Sequence, residues 1–133
     1  MRLLLDTHTW IWTQERSEEL GPKTRDMLLD SGNKVAVSPI STLEIARMVT
    51  AGRIILAKEL RQWVRAALVS LEAESLPVNH EIALESYRLP EPFHRDPADR
   101  MLVATARIEG CTLLTADTLL LEYPHVRTAD ARD

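Results

Sequence analysis

The sequence predicts an α/β protein, a three-layer α/β/α sandwich around a central, mainly parallel sheet, and three observations carry that prediction. Several apolar runs are too short for helices and stop abruptly at polar or acidic residues, as in Arg2-Leu3-Leu4-Leu5-Asp6 and Thr112-Leu113-Leu114-Thr115. Between them lie longer stretches whose apolar residues recur at steps of three and four, bounded by capping residues, proline or glycine. The two patterns alternate along 133 residues, a length suited to one domain with one core over residues 1–133.

Taken in order, Arg2 to Leu5 reads as a buried first strand, because the Thr7-His8-Thr9 that follows does not extend it as a long helix. Gly21-Pro22 marks a turn or helix start, and Lys23 to Asp30 has helical spacing that stops at Ser31-Gly32-Asn33. Val35 to Val37 is a second strand. Ser38-Pro39 supplies a cap with proline in the first turn, where its missing N–H costs nothing, and that helix carries Glu44 and runs to Gly52. From Glu59, the residues Leu60, Trp63, Val64, Ala67, Leu68 and Leu71 form one apolar stripe, which predicts an antiparallel pair with the preceding helix. Glu74 to Val78 is a weak strand, and Asn79 caps a helix ending near Arg88, before Pro90 and Pro92. Asp96-Pro97-Ala98-Asp99 opens a helix that reads from Met101 to Ile108, apolar on most sides and so expected to be buried, and Gly110 ends it. Thr112 to Thr115 is the third clear strand, followed by Ala116-Asp117, a short helical turn and a last strand around Val126.

Composition narrows the class. With 45% hydrophobic and 27% charged residues the chain is built like an ordinary globular protein rather than a disordered or fibrous one. The single cysteine, Cys111, has no partner for an intramolecular disulfide, which fits a reducing cytoplasm. An acid as early as Asp6 argues against a signal peptide, and no apolar run approaches the ~20 residues of a membrane span, so a cytoplasmic protein with no membrane association is expected. The net charge of -4 gives no global attraction for nucleic acid; a polyanion would be held by a bound cation and local basic surface.

Two acids stand directly after buried strands, Asp6 after the first and Asp117 after the third. In an open parallel sheet ligands bind at the carboxyl ends of the strands, where both would emerge. Asp99 in the first turn of its helix and Glu44 one or two turns into another can project to the same edge. Like charges that close resist ionising together, and a divalent cation resolves the conflict. Mg²⁺, for which Mn²⁺ can substitute, takes one or two carboxylates directly and others through water, lowers the pKa of a bound water and stabilises charge developing on phosphate oxygens. Each acid also has an ordinary reading. Asp96 and Asp99 are what a helix start favours, Glu44 could complete a capping box with Ser41, and Asp6 and Asp117 could be turn residues.

These residues fall in four blocks: Leu5-Asp6-Thr7-His8; Ser38-Pro39-Ile40-Ser41 leading to Glu44-Ile45; the run from Phe93 to Ala104 containing Asp96-Pro97-Ala98-Asp99-Arg100; and Leu114-Thr115-Ala116-Asp117. In order and spacing, over essentially the whole chain, they resemble the PIN-domain family and within it the VapC-type toxin ribonucleases. The resemblance implies a Rossmann-like sandwich and metal-dependent cleavage of RNA. It assigns Asp6, Glu44, Asp99 and Asp117 to the acidic quartet, with Asp6, Asp99 and Asp117 as metal ligands and Thr7 and Thr115 as hydroxyls that fix a carboxylate or a metal-bound water. Asp99 is the choice over Asp96 because the apolar helix follows it directly, which leaves Asp96 as the cap. The resemblance further implies a small antitoxin as partner and a homodimer.

Between Glu44 and Ser70 the bases Arg47, Arg53, Lys58, Arg61 and Arg65 face only Glu44 and Glu59, an excess that could hold an RNA backbone or simply solvate helical faces. His94, Arg95 and Arg100 flank the acidic helix start and could contact phosphate or form surface ion pairs. His8 has no partner histidine at a zinc spacing, so zinc is not expected. Trp10 and Trp12 could stack on bases or pack in a core or interface. Two other functions compete. An inactive nuclease-like module would bind RNA or protein without cutting, which the four intact acids argue against. A phosphotransfer protein or phosphatase of another α/β fold would use the aspartate after the first strand as phosphoacceptor or nucleophile, and the phosphatase version would want a second aspartate two residues after Asp6, where His8 stands. A DNA nuclease is also open, since the chemistry needs no 2'-hydroxyl.

Overall fold

The computed structural model describes residues 1–133, and its centre is a five-stranded sheet in which every pairing is parallel. The strands are β1 (Arg2–Leu5), β2 (Lys34–Val37), β3 (Glu74–Ser75), β4 (Thr112–Thr115) and β5 (Thr128–Asp130), in the order β3-β2-β1-β4-β5. Chain order thus runs outward from β1 in both directions, and the reversal falls between β1 and β4. That gap, outside the carboxyl ends of the strands, is where doubly wound sheets leave a crevice.

Seven helices fill the crossovers: α1 (Thr7–Glu15), α2 (Pro22–Leu29), α3 (Pro39–Thr50), α4 (Leu60–Ser70), α5 (His80–Ser86), α6 (Pro97–Glu109) and α7 (Thr118–Leu121). The side chains of a strand alternate between faces, and the core divides accordingly. Leu4, Ala36 and Leu113 pack with Leu102, Val103, Ala106, Leu120 and Tyr123 from the side of α6 and α7. Leu5, Val35, Val37 and Leu114 pack with Trp10, Ile11, Ile45, Trp63 and Ala67 from α1, α3 and α4. Both faces being covered, the strands read as continuous apolar runs instead of alternating ones.

Several expectations shift. No element is assigned from the sequence between Asp6 and Gly21, yet α1 is there; it puts Trp10, Ile11 and Trp12 in succession, so no polar stripe reveals its period. The predicted antiparallel pairing of α4 with α3 is not found, the two helices touching only sparsely; the apolar stripe of α4 instead enters the core layer shared with α1 and α3, where Trp63 packs edge-on to Trp10 with ring centroids 5.2 Å apart. β3 is two residues long, α5 ends at Ser86, and the last strand begins at Thr128, with Val126 partly buried against the core just before it. No helix is long and apolar enough to cross a membrane.

The end of the chain folds back on α2. Gly21 donates its N–H to the Ala131 carbonyl at 3.0 Å, and Thr24 donates to the Asp133 main-chain oxygen at 3.0 Å. The approach is so close that a Cβ on Gly21 would lie 2.0 Å from that oxygen and 2.3 Å from the Arg132 carbonyl.

Candidate active site

Asp6 leaves β1 and becomes the N-cap of α1. Its Oδ1 accepts the Thr9 N–H at 2.8 Å, and its Oδ2 accepts the hydroxyl proton of Thr115 at the end of β4. Thr115 in turn accepts the Asp117 N–H at 3.0 Å. Because β1 and β4 are paired in register, Leu5 with Leu114, this chain of bonds ties the ends of two adjacent strands and fixes both oxygens of a carboxylate that is only 6% exposed. Asp117 caps α7 through its Oδ1, which accepts the Leu119 N–H at 2.9 Å.

On the other side, Thr7 donates its hydroxyl proton to Glu44 Oε1 on α3 and shares a 3.1 Å hydrogen bond with the Ser41 hydroxyl. Ser41 is fully buried, so the first turn of α1 is stitched to α3 beneath the acid. Burial pushes the Glu44 carboxyl above its usual value; the Thr7 bond opposes this, and the charges of Asp96 and Asp6 reinforce it.

Asp96 is the N-cap of α6, with Oδ1 accepting from Ala98 N–H at 2.9 Å. Asp99, one turn in, has its Oδ2 2.7 Å from His94 Nε2. Its carboxyl is pushed up to about 6, first by burial, with the neighbouring charges of Asp96 and Asp117 adding and His94 opposing. His94 is therefore a partner of the acid. Sequence spacing could not show this, because the turn between them must first form.

Asp6, Glu44, Asp99 and Asp117 all line one cleft of about 310 Å³, together with Thr7, His8, Trp12, Asp96, Ala116 and Arg132. No three acids are already gathered into a closed chelating set. The groups that line the cleft are mainly carboxylates, the hard oxygen donors that Mg²⁺ prefers, and the like charges that add to the effect of burial on Asp99 are what a bound cation would relieve.

The other candidates sort differently. Trp10 is fully buried in the core, whereas Trp12 is half-buried on the cleft wall. Arg47, Arg61, Arg65 and Arg95 are exposed, and none of them lines the cleft. Arg100 corrects an expectation. It is 6% exposed, and its guanidinium donates to the carbonyls of Ser86, Phe93 and His94 and to Glu91 Oε1, between the rings of Tyr87 and Phe93. With its donors committed to the loop that carries His94, it is not free for RNA. Ser41 stood out in the sequence only as a possible capping partner of Glu44, and Arg132 not at all. Ser41 matters only once α1 lies on α3, and Arg132 only once β5 lies beside β4.

A family model described as the PIN domain matches residues 3–126, a span that contains all four acids. Over 125 residues the chain is 29% identical to Ribonuclease VapC22 of Mycobacterium tuberculosis, with 94% of each covered. Among solved structures, it superposes on one of VapBC2 from Rickettsia felis bound to a promoter DNA fragment, with a TM-score of 0.72, 16% identity and 98% of each chain covered. It superposes on VapBC-1 from nontypeable Haemophilus influenzae with a TM-score of 0.65, 18% identity and 100% of each chain covered. A toxin-antitoxin complex from Klebsiella pneumoniae gives 0.64, at 20% identity over 96% of this chain and 95% of that one. At these identities the structural likeness is one of fold, and it agrees with the all-parallel sheet and with the sequence match: the chain belongs to the PIN-domain family.

Proposed function

We propose that the protein is a Mg²⁺-dependent endoribonuclease, the toxin of a toxin–antitoxin pair. The observation that carries the reading is that Asp6, Glu44, Asp99 and Asp117, spread over more than a hundred residues of chain, line a single cleft at the switch point of the sheet. The ribonuclease name of the Mycobacterium tuberculosis relative and the antitoxin-bound relatives support the substrate and the partner.

Asp6, Asp99 and Asp117 would hold Mg²⁺, which when bound supplies an acidified water and positive charge at the scissile phosphate. The protein's own groups do the rest. Thr115 and the Thr9 N–H keep the Asp6 carboxylate in one orientation, and His94 does the same for Asp99. Thr7 fixes Glu44 through Oε1, leaving Oε2 free to take a proton from the attacking water; burial, by favouring its protonated form, suits it to that task. The water oxygen bonds to phosphorus, the phosphorus–oxygen bond to the leaving sugar breaks, and the leaving oxygen takes a proton from solvent. Exposed Arg47, Arg61, Arg65 and Arg95 would guide the RNA backbone toward the cleft. A small antitoxin would mask the cleft, and the protein would act as a homodimer.

Cleavage of total cellular RNA with mapping of new 5' ends tests this directly. Wild type with Mg²⁺ or Mn²⁺ should create discrete ends, EDTA should abolish them, and Asp6→Asn should lower the rate at least ~100-fold while retaining its circular dichroism. The same new ends from folded Asp6→Asn as from wild type would refute the site, and no new ends from either protein would favour an RNA-binding module.

A further inference from the structure

The acidic cleft contains one cation that pairs with none of its acids. Arg132 lines it beside Asp6, Glu44, Asp96, Asp99 and Asp117, yet none of the molecule's ion pairs includes it. A flexible guanidinium among that many carboxylates would be expected to fold onto one. It is held away instead. Its carbon lies 5.4 Å from the centroid of the Trp12 ring, and Nη1 donates to the Ala116 carbonyl, next to Asp117, at 3.3 Å. Nε and Nη2 have no partner.

Nor is this the tail of a loose chain end. The Ala131 N–H donates to the Thr115 carbonyl at 2.8 Å, the Arg132 N–H to Asp130 Oδ1 at 2.9 Å, and the bonds from Gly21 and Thr24 hold the residues on either side. The backbone of Arg132 is thus pinned between β4 and α2, and its side chain is laid on an aromatic face with two donors open.

We infer that Arg132 is a phosphate-binding residue of the active site, placed by Trp12 to grip the RNA backbone where the acids hold the cation. This rests on the ribonuclease reading and adds to it the group that supplies positive charge from the protein. The chemistry is that of a planar fork: guanidinium donors match two phosphate oxygens at once, and stacking holds the plane without neutralising it. Paired to a carboxylate, the same residue would have to break an ion pair before touching substrate; here it is free beforehand.

The test uses a fluorescein-labelled single-stranded RNA oligonucleotide, with binding followed by anisotropy in Ca²⁺ and cleavage in Mg²⁺. Arg132→Ala should cut with kcat/KM lower by about 10–100-fold and should reduce the slope of log affinity against log salt by about one. Arg132→Lys should recover the salt slope but less of kcat/KM, because a point charge keeps neither fork nor stack. Trp12→Leu should fall between wild type and Arg132→Ala. Wild-type kcat/KM together with an unchanged salt slope in Arg132→Ala would overturn the inference. A wild type that binds but does not cut would sink the nuclease reading alone, since the salt slopes still decide the role of Arg132. No RNA binding by wild type would overturn both.

Discussion

Asp99 is held between opposing influences: a histidine that favours its ionised form, and burial with two like charges that disfavour it more. The balance leaves its carboxyl at about 6 in the folded protein, against an ordinary 3.8. Without metal, the folded state therefore binds this proton more tightly than the unfolded state does. The stability this gives is fully present below the ordinary carboxylate range and is lost as pH rises through about 6, so at neutral pH an ionised Asp99 is a burden on the fold. Asp99→Asn in EDTA should melt above wild type at pH 7.5, by roughly 3–6 °C, the shift that ~1 kcal/mol gives a domain of this size. The gap should close as pH falls toward 4, and the variant should not cut RNA. A lower melting point than wild type at pH 7.5 would contradict the account. Added Mg²⁺ should raise the wild-type melting point and leave the variant's nearly unchanged. A site that destabilises its own protein until a ligand arrives is a common exchange of stability for function.

At the scale of the element, α6 presents a doublet with divided duties. Asp96 caps the helix, and Asp99 faces the cleft one turn on. Asp96→Ser keeps a capping oxygen and should leave cleavage within a fewfold of wild type, whereas Asp96→Ala should cost ~1 kcal/mol of stability, read from the urea midpoint. A severe loss of cleavage in a stable Asp96→Ser would instead make Asp96 a metal ligand. The acids were legible in the sequence because three of the four stand at local boundaries: Asp6 and Asp117 end strands and start helices, and Asp99 lies in a first turn. Strands β1, β2 and β4 were legible as uninterrupted apolar runs. Helix α1 was not, because Trp10, Ile11 and Trp12 follow one another within a single turn and leave no amphipathic stripe, and β5, three residues long, carries too little pattern to place. What joins Thr7 to Glu44, Thr115 to Asp6 and Arg132 to Trp12 is tertiary contact between residues 37, 109 and 120 positions apart, which no local rule encodes.

For the molecule as a whole, charge and topology divide the work. A net charge of -4 provides no general attraction for a polyanion, so the proposed RNA recognition would be local and cation-assisted. The all-parallel sheet supplies the locality, since both strands flanking its reversal point deliver a carboxylate to the same edge. The two apolar layers hold that edge in place from either face.

The tight seat of the last residues against Gly21 makes a hydrogen atom the largest side chain the position admits. Gly21→Ala would wedge up the very segment from which the Arg132 guanidinium reaches the cleft, while the bonds among Asp6, Thr115, Thr7 and Glu44 lie elsewhere. Such a variant should resemble Arg132→Ala in its weakened grip on labelled RNA while keeping a wild-type thermal response to Mg²⁺. A buried helix cap that touches no substrate would then govern how firmly the protein holds one.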